Sequence, residues 1–245
     1  MREACECPYK GEELMMAVIA RQVWEGERVA VGTLSPIPAA GVLLALMSRA
    51  PGAEAFIWFL PDYWPFTEGV KEFFDMCQRG DVDLFFLGGA QIDAGASTNL
   101  HCIGPWDSPK VRLPGGAGTG TLYCTVPRIV LFSEVHSKRT FVEKVDFITG
   151  GGCPDPHVYR RGGPTLCVTP LAVMSFDAKT PGWELSSRHP GVSLPKIREN
   201  TAFSFLRERD AETSPPTGEE LELLRGPVKE KLSRAYPFFV KKLWG

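Results

Sequence analysis

The chain has 245 residues, 44% of them hydrophobic and 23% charged, proportions that exclude a disordered or fibrous protein and fit a folded one with a large core. Its 27 basic and 29 acidic side chains leave a formal charge of -2, so no global field steers it toward nucleic acid or an anionic membrane. Seven cysteines, an odd number without paired C-x-x-C motifs, exclude a disulfide framework and a zinc ribbon.

The N-terminal Met1-Arg2-Glu3-Ala4-Cys5-Glu6-Cys7 carries acids and no apolar leader, and no apolar run reaches the ~20 residues that cross a membrane. A cytoplasmic protein is expected. Cys5 and Cys7 form a C-x-C, but two thiolates need further ligands to complete a tetrahedral site, and no metal site is expected.

Glu12 to Trp24 reads as a helix, with Leu14, Ala17, Val18 and Val23 on one face, acids at its start and Gly26 as a stop. Arg28 to Thr33 is a short strand leading through Ser35 and Pro36 into a helix over Ala39 to Arg49, which Pro51-Gly52 ends. Ala55 to Leu60 is apolar at every position, as a parallel strand covered on both faces should be, and runs into Pro61-Asp62-Tyr63-Trp64-Pro65. Val70 to Arg79 is helical with Gly80 as its cap, and Val82 to Leu87 is another buried strand, ending in Gly88-Gly89-Ala90-Gln91-Ile92-Asp93.

Downstream lie the loop Pro114 to Gly120, a strand over Arg128 to Phe132, and a strand over Lys144 to Ile148 that ends in three glycines. Glycines after strands matter because open parallel sheets bind ligands beyond the carboxyl ends of their strands. Leu166 to Thr169, Leu171 to Phe176 and Trp183 to Arg188, separated by turn residues, read as an antiparallel C-terminal addition. Arg207 to Gly218 reads as a surface connection, Thr217 as the start of a helix through Arg225, and the aromatic tail Tyr236 to Trp244 as core edge or subunit contact. The fold expected is α/β: an open, mostly parallel sheet with flanking helices and that antiparallel addition, in a single unit over 1–245.

The block Gly88 to Asp93, Asn99, the loop Pro109 to Gly118, Phe141 to Thr149, Phe176-Asp177, His189-Pro190-Gly191 and Glu199-Asn200-Thr201 form an ordered set of motifs. Together, from the first helix to about Arg225, they resemble the B subunits of family I CoA-transferases, glutaconate CoA-transferase among them. The resemblance implies an A-subunit partner in a heterodimer or α2β2 assembly, with acyl-CoA bound between the subunits. It implies no bound cofactor, coenzyme A entering only as part of the substrate.

The family's usual chemistry uses a B-subunit glutamate that attacks the thioester. The resemblance places Phe59 at that position, flanked by Trp58 and Leu60, so the usual nucleophile is missing. Relatives without that glutamate include a two-subunit hydrolase that opens a steroid-derived ring. An acyl-CoA hydrolase of that ring-opening kind is the activity expected; the alternatives are a true acyl-CoA:carboxylate CoA-transferase, with Glu54 or Glu68 reconsidered, and a non-catalytic acyl-CoA-binding scaffold.

Candidate site residues follow from position. Gly88, Gly89, Ala90 and Gln91 could offer amide donors to a thioester carbonyl, since fixed dipoles are worth ~3 kcal/mol where charge develops. Gly115, Gly116, Ala117 and Gly118 could cradle part of CoA, and Ser35 could position the acyl group or cap a helix. Asp62 and Tyr63 are the polar groups nearest in sequence to the missing glutamate. The aromatic cluster Phe56, Trp58, Phe59, Tyr63, Trp64 and Phe66 suggests a wall for a bulky or cyclic acyl group. The four histidines share no ligand spacing and read as structural.

Overall fold

A computed structural model describes residues 8–153, 155 and 157–245. Cys5 and Cys7 lie outside the described residues.

The first helix, α1 (Gly11–Ala20), leads to β1 (Arg28–Val31), α2 (Pro36–Met47) and β2 (Glu54–Ile57). A 3-10 turn at Pro61–Tyr63 precedes α3 (Val70–Arg79), β3 (Leu84–Gly88) and the short strands β4 (Gln91–Asp93), β5 (Thr98–Asn99), β6 (Cys102–Ile103) and β7 (Val111–Arg112). Then come α4 (Thr119–Thr125), β8 (Arg128–Phe132), β9 (Phe141–Val142), β10 (Gly163–Val168), β11 (Ala172–Phe176), β12 (Trp183–Arg188), α5 (Leu194–Asn200) and β13 (Arg207–Glu208). The chain closes with α6 (Gly218–Leu223), a π-helical turn at Leu224–Val228, α7 (Lys229–Ser233) and α8 (Pro237–Trp244).

Eight strands form one sheet in the order β13-β12-β11-β10-β8-β3-β1-β2. The five from β2 to β10 are mutually parallel, whereas β11 runs antiparallel to β10 and to β12. The expected parallel sheet with an antiparallel addition is therefore what forms. The apolar runs at Phe56-Ile57, Leu84 to Leu87 and Ile129 to Phe132 have both of their faces buried, as helices on both sides of a parallel sheet require.

One face is covered by α1, α2 and the C-terminal helices, and the other by α3 and α4. Both α1 and α2 are apolar nearly all round because each is enclosed by the sheet and by other helices. They cross closely at Gly41, where an added Cβ would lie 2.5 Å from Ile19 Cγ2 and 2.8 Å from the Met16 carbonyl oxygen. In α3, Phe73 and Cys77 point inward, and Gly80 at φ +86° ends the helix as expected.

Two expectations need correction. Lys144 to Ile148 pairs with no strand; its amides reach side-chain acceptors instead, Val145 N–H to Asp93 Oδ2 at 3.3 Å and Asp146 N–H to Gln91 Oε1 at 3.0 Å. The stretch Arg207 to Gly218 is more than a connection, because it contributes β13 to the sheet edge beside β12.

Candidate functional site

A cavity of about 310 Å³ opens at the carboxyl edge of the sheet. Gly32 to Ser35 after β1, Trp58 after β2, Leu87 and Gly88 of β3 and Phe132 of β8 all reach it, so four adjacent parallel strands aim their ends at one place. Phe73 and Phe74 of α3, Leu122 of α4, Leu100 and the loop Pro114 to Gly118 complete the wall.

The turns at this edge are strained. Leu34 at φ +51° and Phe59 at φ +67° both hold a left-handed conformation that large side chains rarely adopt, and both remain exposed, at 79% and 56%. Strand β2 stops at Ile57, and the left-handed turn at Phe59 leaves its ring at the rim beside Trp58, with centroids 6.4 Å apart. Behind Trp58 the aromatics continue without a break, to Trp64 at 4.5 Å, then Phe73 at 5.7 Å, and from it Phe74 at 5.5 Å and Phe85 at 6.2 Å. Edge-to-face and tilted packing of this kind fixes the wall rather than leaving it to form around a ligand.

No lining residue is acidic, basic, histidine or cysteine. Two of its three hydroxyls are turned onto the backbone: Ser35 Oγ donates to the Thr33 carbonyl at 2.9 Å, and Thr119 Oγ1 donates to the Gly116 carbonyl at 2.6 Å; the third belongs to exposed Thr33. Ser35 stands at the N-cap position of α2, yet its side chain makes no cap hydrogen bond.

The sequence-predicted site residues divide. Ser35, Gly88, Gly115, Gly116, Ala117 and Gly118 all line the cavity. The glycine loop bends through Gly115 at φ +100° and Ala117 at φ +43°, and it sits so close to α3 that a Cβ on Gly118 would lie 1.9 Å from the Phe74 ring. Gly115 N–H is held by the Leu100 carbonyl at 2.9 Å.

Gly89, Ala90 and Gln91 fall outside the cavity, because the segment is a strand-to-strand connection that turns away at Gly89. Ala90 N–H donates to the Asn99 carbonyl. The Gln91 side chain is buried, accepting from Asn99 Nδ2 at 2.8 Å and donating to Asp146 Oδ2 at 3.0 Å, so its amide is committed to holding the loop.

Asp62 and Tyr63 are also corrected. Pro61 starts the 3-10 turn that swings them toward α7, where Asp62 pairs with Arg234 at 3.2 Å and Lys231 lies over the Tyr63 ring. Glu54 sits at the opposite end of β2, paired with Arg28 at 3.3 Å, and exposed Glu68 lies in the loop before α3. Neither lines the cavity.

His101, read from the sequence as structural like the other histidines, is half-buried beside the glycine loop. Its Nδ1 is 2.7 Å from Thr149 Oγ1, and its Nε2 faces the glycine loop, 3.9 Å from where a Gly115 Cβ would stand. The other buried histidines are structural, as expected. His136 lies between Thr169 Oγ1 and Thr201 Oγ1, and burial, with His189 nearby, pulls its pKa down to about 4. His189 is bound to Thr213 Oγ1 and to the Thr169 carbonyl, and burial lowers its pKa despite the carbonyl's opposing effect.

The family described as Coenzyme A transferase matches residues 63–200. The chain belongs to that family. It is similar to the B subunit of 3-oxoadipate CoA-transferase from Pseudomonas knackmussii, 30% identical across 89% of this chain and 92% of the relative. It is also similar to the cholesterol ring-cleaving hydrolase IpdB subunit of Rhodococcus jostii, 29% identical across 91% of this chain and 88% of the relative. Among solved structures, the decarboxylase AibA/AibB superposes with a TM-score of 0.75 at 27% identity, covering 96% of this chain and 98% of that one. The resemblance to B subunits of CoA-transferases, drawn from the motifs around Gly88 and the glycine loop, thus holds along nearly the whole chain.

Proposed function

We propose that this chain is the B subunit of a cytoplasmic two-subunit acyl-CoA hydrolase that opens a ring in a β-diketone-like CoA ester, rather than of a CoA-transferase. One observation carries the reading: the cavity at the strand ends has no carboxylate, and Phe59 stands where the family's resemblance puts the nucleophilic glutamate. Coenzyme A enters as part of the substrate, and an A subunit covers the open edge, as the subunit names of the relatives suggest.

In this reading the residues of this chain bind and orient while water is the nucleophile. The acyl group lies against Trp58, Phe74 and Leu122, and the glycine loop keeps the thioester end at the mouth. Water, activated by a base on the A subunit, adds to the ring ketone; its oxygen bonds to that carbon as the bond to the neighbouring α-carbon breaks. The electron pair passes to the α-carbon as an enolate of the thioester, which then takes a proton, and the thioester survives.

The transferase reading has in its favour the family description and the relatives named 3-oxoadipate and glutaconate CoA-transferase. Co-production with the A subunit and incubation with cyclic 3-oxoacyl-CoA substrates, with and without acetate, separates the two by mass spectrometry. The expected result is an acyl-CoA heavier by one water and independent of acetate. Acetyl-CoA formed only when acetate is present would overturn the proposal. Phe59→Glu in the same complex is expected to introduce measurable CoA transfer to acetate, because the rim position is exposed and accepts a polar side chain.

A further inference from the structure

The cavity, about 310 Å³, has room for an acyl group but not for the pantetheine and nucleotide of CoA as well. Resting on the reading of this chain as a subunit that takes acyl-CoA, we infer where the pantetheine and diphosphate arm lies: along a row of side chains, His101, Phe147, Trp106 and Arg112, that starts at the glycine loop and ends on a guanidinium.

The row begins against the cavity. Gly115 and Gly116 line it, and from where their Cβ atoms would stand, His101 Nε2 is 3.9 Å and His101 Cε1 3.4 Å away. The Phe147 ring is centred 4.6 Å from that of His101, Phe147 and Trp106 stack at 4.8 Å and 28°, and the Arg112 guanidinium lies 4.6 Å from the centre of the Trp106 ring. Trp106 is 51% exposed and Arg112 is exposed, so this end of the row faces solvent. Residues outside the cavity hold it in place. Asp146 Oδ2 accepts from Gly104 N–H at 2.9 Å, Asn99 Oδ1 accepts from His101 N–H at 3.0 Å, and Leu113 N–H donates to the His101 carbonyl at 2.8 Å.

The groups come in the order in which the arm presents its own. Thr149 Oγ1 accepts from Leu100 N–H at 2.9 Å and lies 2.7 Å from His101 Nδ1; with the hydroxyl proton directed at Nδ1, all three groups are satisfied and the ring's own proton sits on Nε2. Nε2 has no partner among the described residues and is not sealed from solvent, so it is free to donate to the pantetheine amide carbonyl nearest the thioester. The Phe147 and Trp106 rings suit the branched hydrocarbon farther along the arm. Arg112 forms no ion pair among the described residues, whereas Arg188, Arg198 and Arg225 each hold a carboxylate, and a guanidinium matches the oxygens of a diphosphate.

The test uses the A/B complex and a cyclic 3-oxoacyl group carried either on CoA or on pantetheine, which lacks the nucleotide and its phosphates. Arg112→Gln, at an exposed residue, is expected to lower kcat/KM for the CoA ester at least ~10-fold relative to that for the pantetheine ester, through KM, and Arg112→Lys, which keeps the charge, to recover most of the ratio. His101→Asn, which keeps a group near Nδ1 for Thr149 but places none at Nε2, is expected to raise KM for both esters by a similar factor, because both carry the amide. Calorimetry with free CoA, which needs no turnover, should show the same ~10-fold weakening in Arg112→Gln. Equal losses for the two esters in Arg112→Gln, an unchanged ratio with unchanged CoA affinity, or His101→Asn without effect on either ester would overturn the inference. Acetyl-CoA formed only when acetate is present would overturn hydrolysis as the reaction, and the ester ratio would still decide the position of the arm.

Discussion

The two faces of the central sheet treat charge in opposite ways. Beneath the α1 face, Glu13 is fully buried, yet it accepts from Lys10 N–H at 2.8 Å, Arg225 Nε at 2.7 Å, Arg225 Nη2 at 2.8 Å and Trp244 Nε1 at 2.9 Å. On the α3 face the cavity carries no charge at all. A carboxylate is tolerated in this protein only where the chain supplies all of its donors. The wall of the cavity is built instead from aromatic and aliphatic side chains, which match an apolar group better than a charge.

The largest effect should come from breaking the satisfied side. Glu13→Ala leaves the Arg225 guanidinium and the Trp244 indole without their acceptor and unfastens the C-terminal helices from α1; chemical denaturation should show a loss of ~3–5 kcal/mol. Burial pushes the Glu13 carboxyl up, but the hydrogen bonds from Arg225, Lys10 and Trp244 outweigh it and leave its pKa below the ordinary value. The stabilisation it gives is therefore present above the pKa of the unfolded chain and is lost as pH falls through the lower, folded one. A denaturation midpoint unchanged by Glu13→Ala would mean the clasp is an exposed pair of little worth.

His136 extends the comparison to a buried group kept neutral. Folded, it takes a proton only at about pH 4, whereas the unfolded side chain takes one at 6.5. Between those values the unfolded state binds more protons, so stability should fall as pH drops from 6.5 toward 4, by on the order of 3 kcal/mol. His136→Gln should flatten that slope while costing ~1–3 kcal/mol at neutral pH through the hydrogen bonds to Thr169 and Thr201. An identical pH profile in the variant would assign the slope to other groups.

What the sequence disclosed was whatever its local pattern carries. Leu84 to Leu87 and Ile129 to Phe132 are apolar at every position, which only a strand buried on both faces explains, and the glycines beyond strand ends marked the carboxyl edge where the cavity lies. Val145 to Ile148 imitates that pattern, but its amides are claimed by Asp93 and Gln91, more than fifty residues away in sequence, and no local signal carries that. Asp62 and Tyr63 were assigned by proximity to the strand end, whereas the turn begun by Pro61 sends them to α7. The absence of a carboxylate after β2 was legible at Phe59; that the remaining wall is equally uncharged depends on which sides of α3 and α4 face inward, and emerges only in three dimensions.

The same small substitution on the two faces should separate packing from function. Gly41→Ala drives a methyl toward the Met16 carbonyl, 2.8 Å away, and Ile19 Cγ2, 2.5 Å away, so α1 and α2 must part. Helix backbone yields poorly, and a loss of ~1–3 kcal/mol is expected, with activity per folded molecule retained. Gly118→Ala meets instead the Phe74 ring at 1.9 Å, a half-buried side chain that can swing. The backbone there, at φ -93°, already suits alanine, whose stiffer unfolded chain offsets part of the strain. Stability should move by less than ~1 kcal/mol, while the displaced ring narrows the cavity and lowers kcat/KM for a cyclic acyl-CoA by ~10–100-fold, as misplacements of about 1 Å do. Thermal melts and steady-state rates on both variants of the A/B complex would read this out. If Gly118→Ala lowered stability as much as Gly41→Ala and left kcat/KM intact, Phe74 would be part of the core and not a wall of the site.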